Sequence, residues 1–423
     1  MKSFMLNSKN IERDAAVWNM IGGMLNAFQS VIFLMILTRT VGLTTSGIFT
    51  IAYANANLFL NIGKYGMRNY QVSDVKREFS FREYLTSRWI TTIVMIAVSV
   101  IYVVYMMVDK DYSLEKSQIV IWMCLFKVPD SMEDIYFGEY QKKGRLDVAA
   151  KIMTVRMIIT ILLFAVIVIV TQNLLLSLVI TTCVTAVLTI IFIKWTCPMF
   201  GEKESRSLKR IADLLWNCFP VFLSAFLAFY IGNAPKYAID AQLTDELQAC
   251  YGFIAMPVFI ISLLNSFVLN PMLYRLSCIW NDGKVQEFLK KIAIQVAVVF
   301  VITVVCILGA YIMGIPVLSL LYNTELAPYK AELLVLLLGG GFLGLSGVLS
   351  AAITIIRYQN ALVVGYGMVA VMAFALSNAA VRRYEMMGAS ALYTVLMAML
   401  CVCFFFILFI GIKKDKRGHE VKR

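Results

Sequence analysis

Apolar runs long enough to cross a bilayer recur from one end of this chain to the other. In lipid, every backbone polar group must be satisfied within the chain, so only helices and closed barrels can span. The runs are about twenty residues long, the helical length, against roughly ten for a barrel strand. The expected fold class is therefore all-α integral membrane. Spans read at about 18–38, 47–66, 89–108, 118–138, 150–170 and 174–193, then at 214–232, 251–273, 288–311, 332–356, 361–380 and 389–412. That is twelve transmembrane helices in two six-helix lobes. Residues 1–194 form the first lobe, behind a polar lead-in over Met1–Val17. A basic linker covers 195–213, and the second lobe with its tail covers 214–423. No cleavable signal peptide is evident, so the first apolar run is expected to remain as a helix.

The chain also repeats its own beginning. WNCFPVFLSAF (Trp216–Phe226) lies over WNMIGGMLNAF (Trp18–Phe28), with Trp, Asn, Leu, Ala and Phe coinciding, and GFIAMPVFI (Gly252–Ile260) meets GIFTIAYAN (Gly47–Asn55). With six spans on either side of Trp216, the pattern implies a parallel internal repeat, which is transporter architecture.

Charge fixes the expected orientation. With both termini inside, the inner segments hold thirty of the 38 lysines and arginines and the outer ones seven, leaving Lys127 inside a span. An imbalance of that kind orients a membrane protein. It also accounts for the net charge of +12 without nucleic acid, since basic loops face anionic headgroups. The nine cysteines are scattered singly and read as packing residues. The one histidine, His419, sits in the tail, which argues against a two-histidine zinc site or a Ser-His-Asp triad, so no catalytic or metal residues are expected. Gly339, Gly341 and Gly344 match a dinucleotide pattern but lie in an apolar run with no strand before it, so Gly340 and Gly344 read as close helix contacts.

Several segments resemble bacterial polysaccharide flippases: LTRTVGLTTSGIF (Leu37–Phe49), GKYGMRNYQVSDV (Gly63–Val75), EDIYFGEYQKKGRLDVAAK (Glu133–Lys151), and NAPKYAID, ACYGFIAMP and LLNSFVLNPML in the second half. These are the O-antigen and capsule repeat-unit flippases of the multidrug/oligosaccharidyl-lipid/polysaccharide exporter superfamily. The resemblance implies a V-shaped pair of lobes giving alternating access to a central cavity. It implies an undecaprenyl-pyrophosphate-linked oligosaccharide as cargo, moved between leaflets of a bacterial plasma membrane for cell-surface polysaccharide biosynthesis. Lipids, the cargo and polysaccharide polymerase machinery are the implied partners, and a monomer the implied state. No cofactor is implied beyond a coupling sodium ion or proton.

A cargo of that kind needs a polar, net-cationic cavity. Lys127 sits near mid-span, where an uncompensated charge costs about 2.5–3.5 kcal/mol on insertion scales. Asp130, Glu133 and Asp134 follow it, and Lys127, Asp130 and Asp134 share a helix face by spacing. Lys127 reads either as a cavity cation for pyrophosphate or as half of a self-neutralising pair; the acids, Asp130 and Glu133 among them, read as its counter-charges or a coupling-ion site. Arg39 and Lys236 fall at near-equivalent helix ends of the repeat, on the face that otherwise has few cations. They are candidate phosphate ligands or snorkelling anchors. Arg68 reads as a headgroup contact at the inner mouth or as an orienting charge. Asn26 and Asn57 offer amides to sugar hydroxyls, or hold helices together. By analogy, Asn233, Asn378 and Thr394 form a second coupling-ion set.

Two rival classes stand beside this one. A membrane glycosyltransferase or polymerase would need a sizeable outer loop with acids, and only Asp109 and Asp111 in a short turn answer to that. A multidrug/cation antiporter of the same superfamily would need an acidic cavity, against which Arg39, Lys127 and Lys236 argue.

Overall fold

The computed structural model describes residues 2–74, 78–196, 207–269 and 272–420. Every regular element among them is helical. The expected linker falls partly outside them, at 197–206, as do the last residues, 421–423.

Local sequence chemistry sets the helix starts. The expected lead-in is itself mostly helical: α1 covers Lys2–Leu6, and α2 covers Ile11–Thr40, beginning where the Asn10 side chain accepts from the Arg13 backbone N–H. The first membrane helix thus begins well before residue 18. Next come α3 (Leu43–Lys64), the short α4 (Met67–Ser73) and α5 (Phe81–Asp109), which starts in a Ser80/Glu83 capping box. The expected span at 118–138 is two helices, α6 (Leu114–Phe126) and α7 (Val128–Lys142), followed by α8 (Leu146–Thr171) and α9 (Leu174–Thr196). Beyond the linker run α10 (Leu208–Gln242), α11 (Asp245–Leu269), α12 (Leu273–Asn281) and α13 (Val285–Gly309). α14 (Ile315–Tyr322), α15 (Lys330–Ile355) and α16 (Asn360–Glu420) complete the chain.

Among the described residues, nine helical stretches are long and apolar enough to span, so this is a multi-pass membrane protein. The final stretch, Asn360–Lys414, holds both of the last two expected spans, because its backbone leaves the helical region only at Glu385 (φ 48, ψ −127). Likewise Val285–Tyr322 is one stretch, continued through a π turn at Ala310–Gly314, where the expected span stopped at 311.

The chain divides into two compact units, Met1–Phe226 and Leu227–Arg423, so α10 belongs to both. In lipid, helix association relies on close packing and interhelical bonds. The first unit packs Phe33 on Phe164 with ring centroids 3.9 Å apart, joining α2 to α8. A Cβ on Gly22 would fall 2.6 Å from Met153 Cε and 2.7 Å from Thr154 Oγ1, so α2 and α8 approach closely there. In the second unit, the glycines of α15 do the same. A Cβ on Gly339 would meet Tyr393 at 2.6 Å, one on Gly340 would meet Val258 at 3.1 Å, and one on Gly341 would meet Thr303 at 2.6 Å. Thr394 Oγ1 donates to the Val335 carbonyl (2.7 Å) and Asn265 to that of Gly344 (3.1 Å), tying α16 and α11 to α15.

Candidate functional site

Pro129 creates the site's central irregularity. It lacks the N–H that would bond the Leu125 carbonyl, and its ring crowds that carbonyl, which favours a kink or break at this point. Lys127 (φ −89, ψ −6) ends α6 and begins α7, its N–H turning back to the Cys124 carbonyl at 3.1 Å. A cation at the end of α6 and an acid, Asp130, in the first turn of α7 suit the dipoles of both half-helices.

Lys127 is 1 % exposed, and its ammonium lies 3.3 Å from Asp130 Oδ2, 3.3 Å from Gln29 Oε1 and 3.4 Å from the Tyr53 hydroxyl. Arg156 of α8 lies 2.6 Å from Asp130 Oδ1 and 2.8 Å from Glu133 Oε2. Thr189 of α9 donates to the other Glu133 oxygen at 2.7 Å. Two cations thus balance two acids in the interior of the first unit. Asp134 departs from the expected shared face: with the helix broken at Lys127, its partners are Arg88 (2.9 Å) and Arg68 (3.8 Å). Arg88, fully buried, also donates to the Gly63 carbonyl at the end of α3.

Sequence reasoning counted Arg88 and Arg156 among inner-segment charges. Arg156 in fact lies about 15 Å along α8 from Leu146 at 1.5 Å per residue. That depth, readable from its position inside an apolar run, was the available signal.

One turn beyond, a polar pocket of about 430 Å³ is lined by Asn61, Lys64, Arg68, Asn69, Asp134 and Gln141. Tyr65 (φ 49) and Gly66 (φ 65) turn the chain sharply between α3 and α4, which brings Lys64 and Arg68 to one cavity. Val221 and Ala225 of α10 complete the wall, so close that a Cβ on Gly66 would sit 2.8 Å from Val221 Cγ1. Arg68 is held by Gln141 Oε1 at 3.1 Å yet keeps its side chain 31 % exposed. A half-buried guanidinium, an ammonium and three amides form a set that can take up phosphate oxygens and hydroxyls.

The other expected residues are dispersed. Arg39 is exposed in the last turn of α2, and Asn26 is exposed on the same helix. Asn57 donates to the Tyr53 carbonyl of its own helix at 2.8 Å. In the second unit Lys236 is half-buried on α10, Asn233 donates to the Phe229 carbonyl (3.0 Å), and Asn378 is exposed. Among the described residues no hydrogen bond joins Asn233, Asn378 and Thr394, and no group of three acids, cysteines or histidines is placed to hold a metal ion.

A family model described as polysaccharide biosynthesis protein matches residues 13–277. No curated protein sequence matches the chain. Among solved structures, the lipid II flippase MurJ in an inward closed conformation is similar at a TM-score of 0.72 and 14 % identity, over 93 % of this chain and 86 % of that one. An inward-facing multidrug resistance MATE family transporter of the MOP superfamily gives 0.68 at 13 % identity, over 97 % of this chain and 100 % of that one. The Vibrio cholerae MATE transporter VcmN in its bent form gives 0.60 at 11 %, over 95 % and 99 %. These neighbours are transporters and a flippase rather than enzymes, and they share the fold.

Proposed function

This chain belongs to the polysaccharide biosynthesis protein family, and from that premise we propose that it is a flippase for undecaprenyl-pyrophosphate-linked oligosaccharide repeat units. It would carry them from the inner to the outer leaflet of a bacterial plasma membrane. In this reading twelve helices form two six-helix lobes related by the internal repeat, both termini face the cytoplasm, and a monomer works by alternating access.

The observation that carries the proposal is the pocket of Lys64, Arg68, Asn61, Asn69 and Gln141. Pyrophosphate meets the two cations, and the first sugar meets the amides. Arg39 and Lys236 supply further positive charge along the route, Lys127 adds its own once the cycle parts it from Asp130, and Asn26 and Asn57 lie beside it. A sodium or proton gradient drives the cycle, with Asp130 and Glu133 as one candidate coupling set and Asn233, Asn378 and Thr394 as the other. The multidrug/cation reading draws on the fold shared with MATE transporters, but a pocket with two cations and one acid suits an organic cation poorly.

The test is complementation of a strain lacking its own repeat-unit flippase. Restored surface polysaccharide, with loss of the lipid-linked units that accumulate inside, supports the cargo. Ethidium efflux without restored polysaccharide would assign the chain to cation export instead.

A further inference from the structure

The helix break also shapes the opposite, lipid-facing side of the first unit. A groove of about 610 Å³ runs between α5, α6–α7 and α9, and Val128 and Pro129, the residues just after the break, form part of its wall. Trp89, which is 53 % exposed, and Trp122 flank it, and Ala186 and Ile190 line its α9 side. Its lining is almost entirely apolar. Of its two threonines, Thr189 commits its hydroxyl to Glu133 at 2.7 Å, and the buried Thr182 hydroxyl has no hydrogen-bond partner among the described residues. One charge remains, Lys194, exposed in the last turn of α9 and without an ion pair among the described residues.

We propose that this groove is a binding site for one acyl chain of an anionic bilayer phospholipid, with its phosphate at Lys194. The length fits: from Thr182 to Lys194, α9 rises about 18 Å at 1.5 Å per residue. That is close to one leaflet, half of a hydrocarbon core about 30 Å thick. The charge fits as well. A lysine at the end of a span reaches the headgroup layer, where the uncompensated phosphodiester of an anionic lipid complements it, whereas that of phosphatidylcholine is already neutralised by its own choline. Trp89, beside the opening, is the aromatic type that settles at that level. Because the groove's wall includes Pro129 and Thr189, the bound lipid would rest directly behind the Lys127–Asp130–Arg156–Glu133 network.

The test uses the full chain in nanodiscs with phosphatidylglycerol and phosphatidylcholine probes, each carrying a diazirine midway along one acyl chain, and mass mapping of the adducts. The phosphatidylglycerol probe should label the Trp122 and Ala186–Ile190 segments in preference to the phosphatidylcholine probe. Lys194→Glu should lower that labelling by about five-fold or more, the order expected for one basic residue at an anionic surface, and Lys194→Arg should keep it. Ala186→Trp, which fills the groove, should abolish labelling there by both probes. Equal labelling by the two probes, or no response to Lys194→Glu, would overturn the site. Displacement of phosphatidylglycerol by equimolar polyprenyl phosphate, without displacement by unlabelled phosphatidylglycerol, would hand the groove to an isoprenoid and overturn the assignment to bilayer lipid.

Discussion

Arg156 Nη2 and Asp130 Oδ1 stand 2.6 Å apart between α8 and α7, with side chains 3 % and 11 % exposed. Breaking a buried pair by removing one partner costs about 3–5 kcal/mol, because the other charge is left uncompensated. Arg156→Met leaves Glu133 without a cation while Asp130 keeps Lys127, so it should sharply lower the melting temperature in detergent. Adding Glu133→Gln should recover much of that loss, because the Lys127–Asp130 pair remains balanced. A single Arg156→Met variant as stable as the parent would remove the network from the account of what holds α7.

Lys127 separates cargo binding from self-neutralisation. In Lys127→Ala/Asp130→Ala the Arg156–Glu133 pair remains balanced, so the protein should accumulate and melt near the parent's temperature. Export should stay lost, as in Lys127→Ala alone. Recovery of export in the double variant would reduce Lys127 to a partner for Asp130.

Packing in the second unit gives a prediction independent of function. Gly341→Leu must place a side chain where a Cβ already falls 2.6 Å from Thr303 Cγ2. Overpacking of this kind costs about 1–3 kcal/mol or more. Thr303→Ala should relieve part of it. A neutral Gly341→Leu, read by thermal unfolding, would show that α13 and α15 lie farther apart than described.

Acid sensitivity should arise in part outside the spans, at Asp74. Burial works to raise its carboxyl. The Glu78 and Phe79 backbone N–H groups, Lys142 and the Tyr84 hydroxyl outweigh that and hold it below the usual carboxylate range. A carboxyl with a depressed folded value stabilises at neutral pH and loses that contribution as pH falls through its titration. Asp74→Asn should therefore lower the melting temperature at pH 7 and narrow the gap between pH 7 and pH 4. An unchanged gap would contradict this.

Much of this was legible in the sequence, for physical reasons. Span length and the absence of water force helices, and Lys127–Asp130 could be paired because residues three apart share a face even across the turn at Pro129. The glycines of α15 announced close contacts by their spacing. The rest depended on depth and on partners distant in the chain. Arg88 lies in the third turn of α5 and Arg156 deeper still in α8, yet counting cations by loop absorbs both. Gln29 reaches Lys127 across 98 residues, which no periodicity reveals. Lys64 and Arg68 are four apart, but the left-handed pair Tyr65–Gly66 between them ends α3, so helix periodicity does not describe how they come to line one cavity.

The most direct measurement is flipping in proteoliposomes loaded with an undecaprenyl-pyrophosphate-linked oligosaccharide, followed by an impermeant reagent that modifies exposed glycan. The parent protein should expose the inner pool well above the protein-free leak. Lys64→Ala/Arg68→Ala should return to that leak while melting near the parent's temperature. Flipping by the double variant at the parent's rate, or a parent no faster than empty vesicles, would contradict the account.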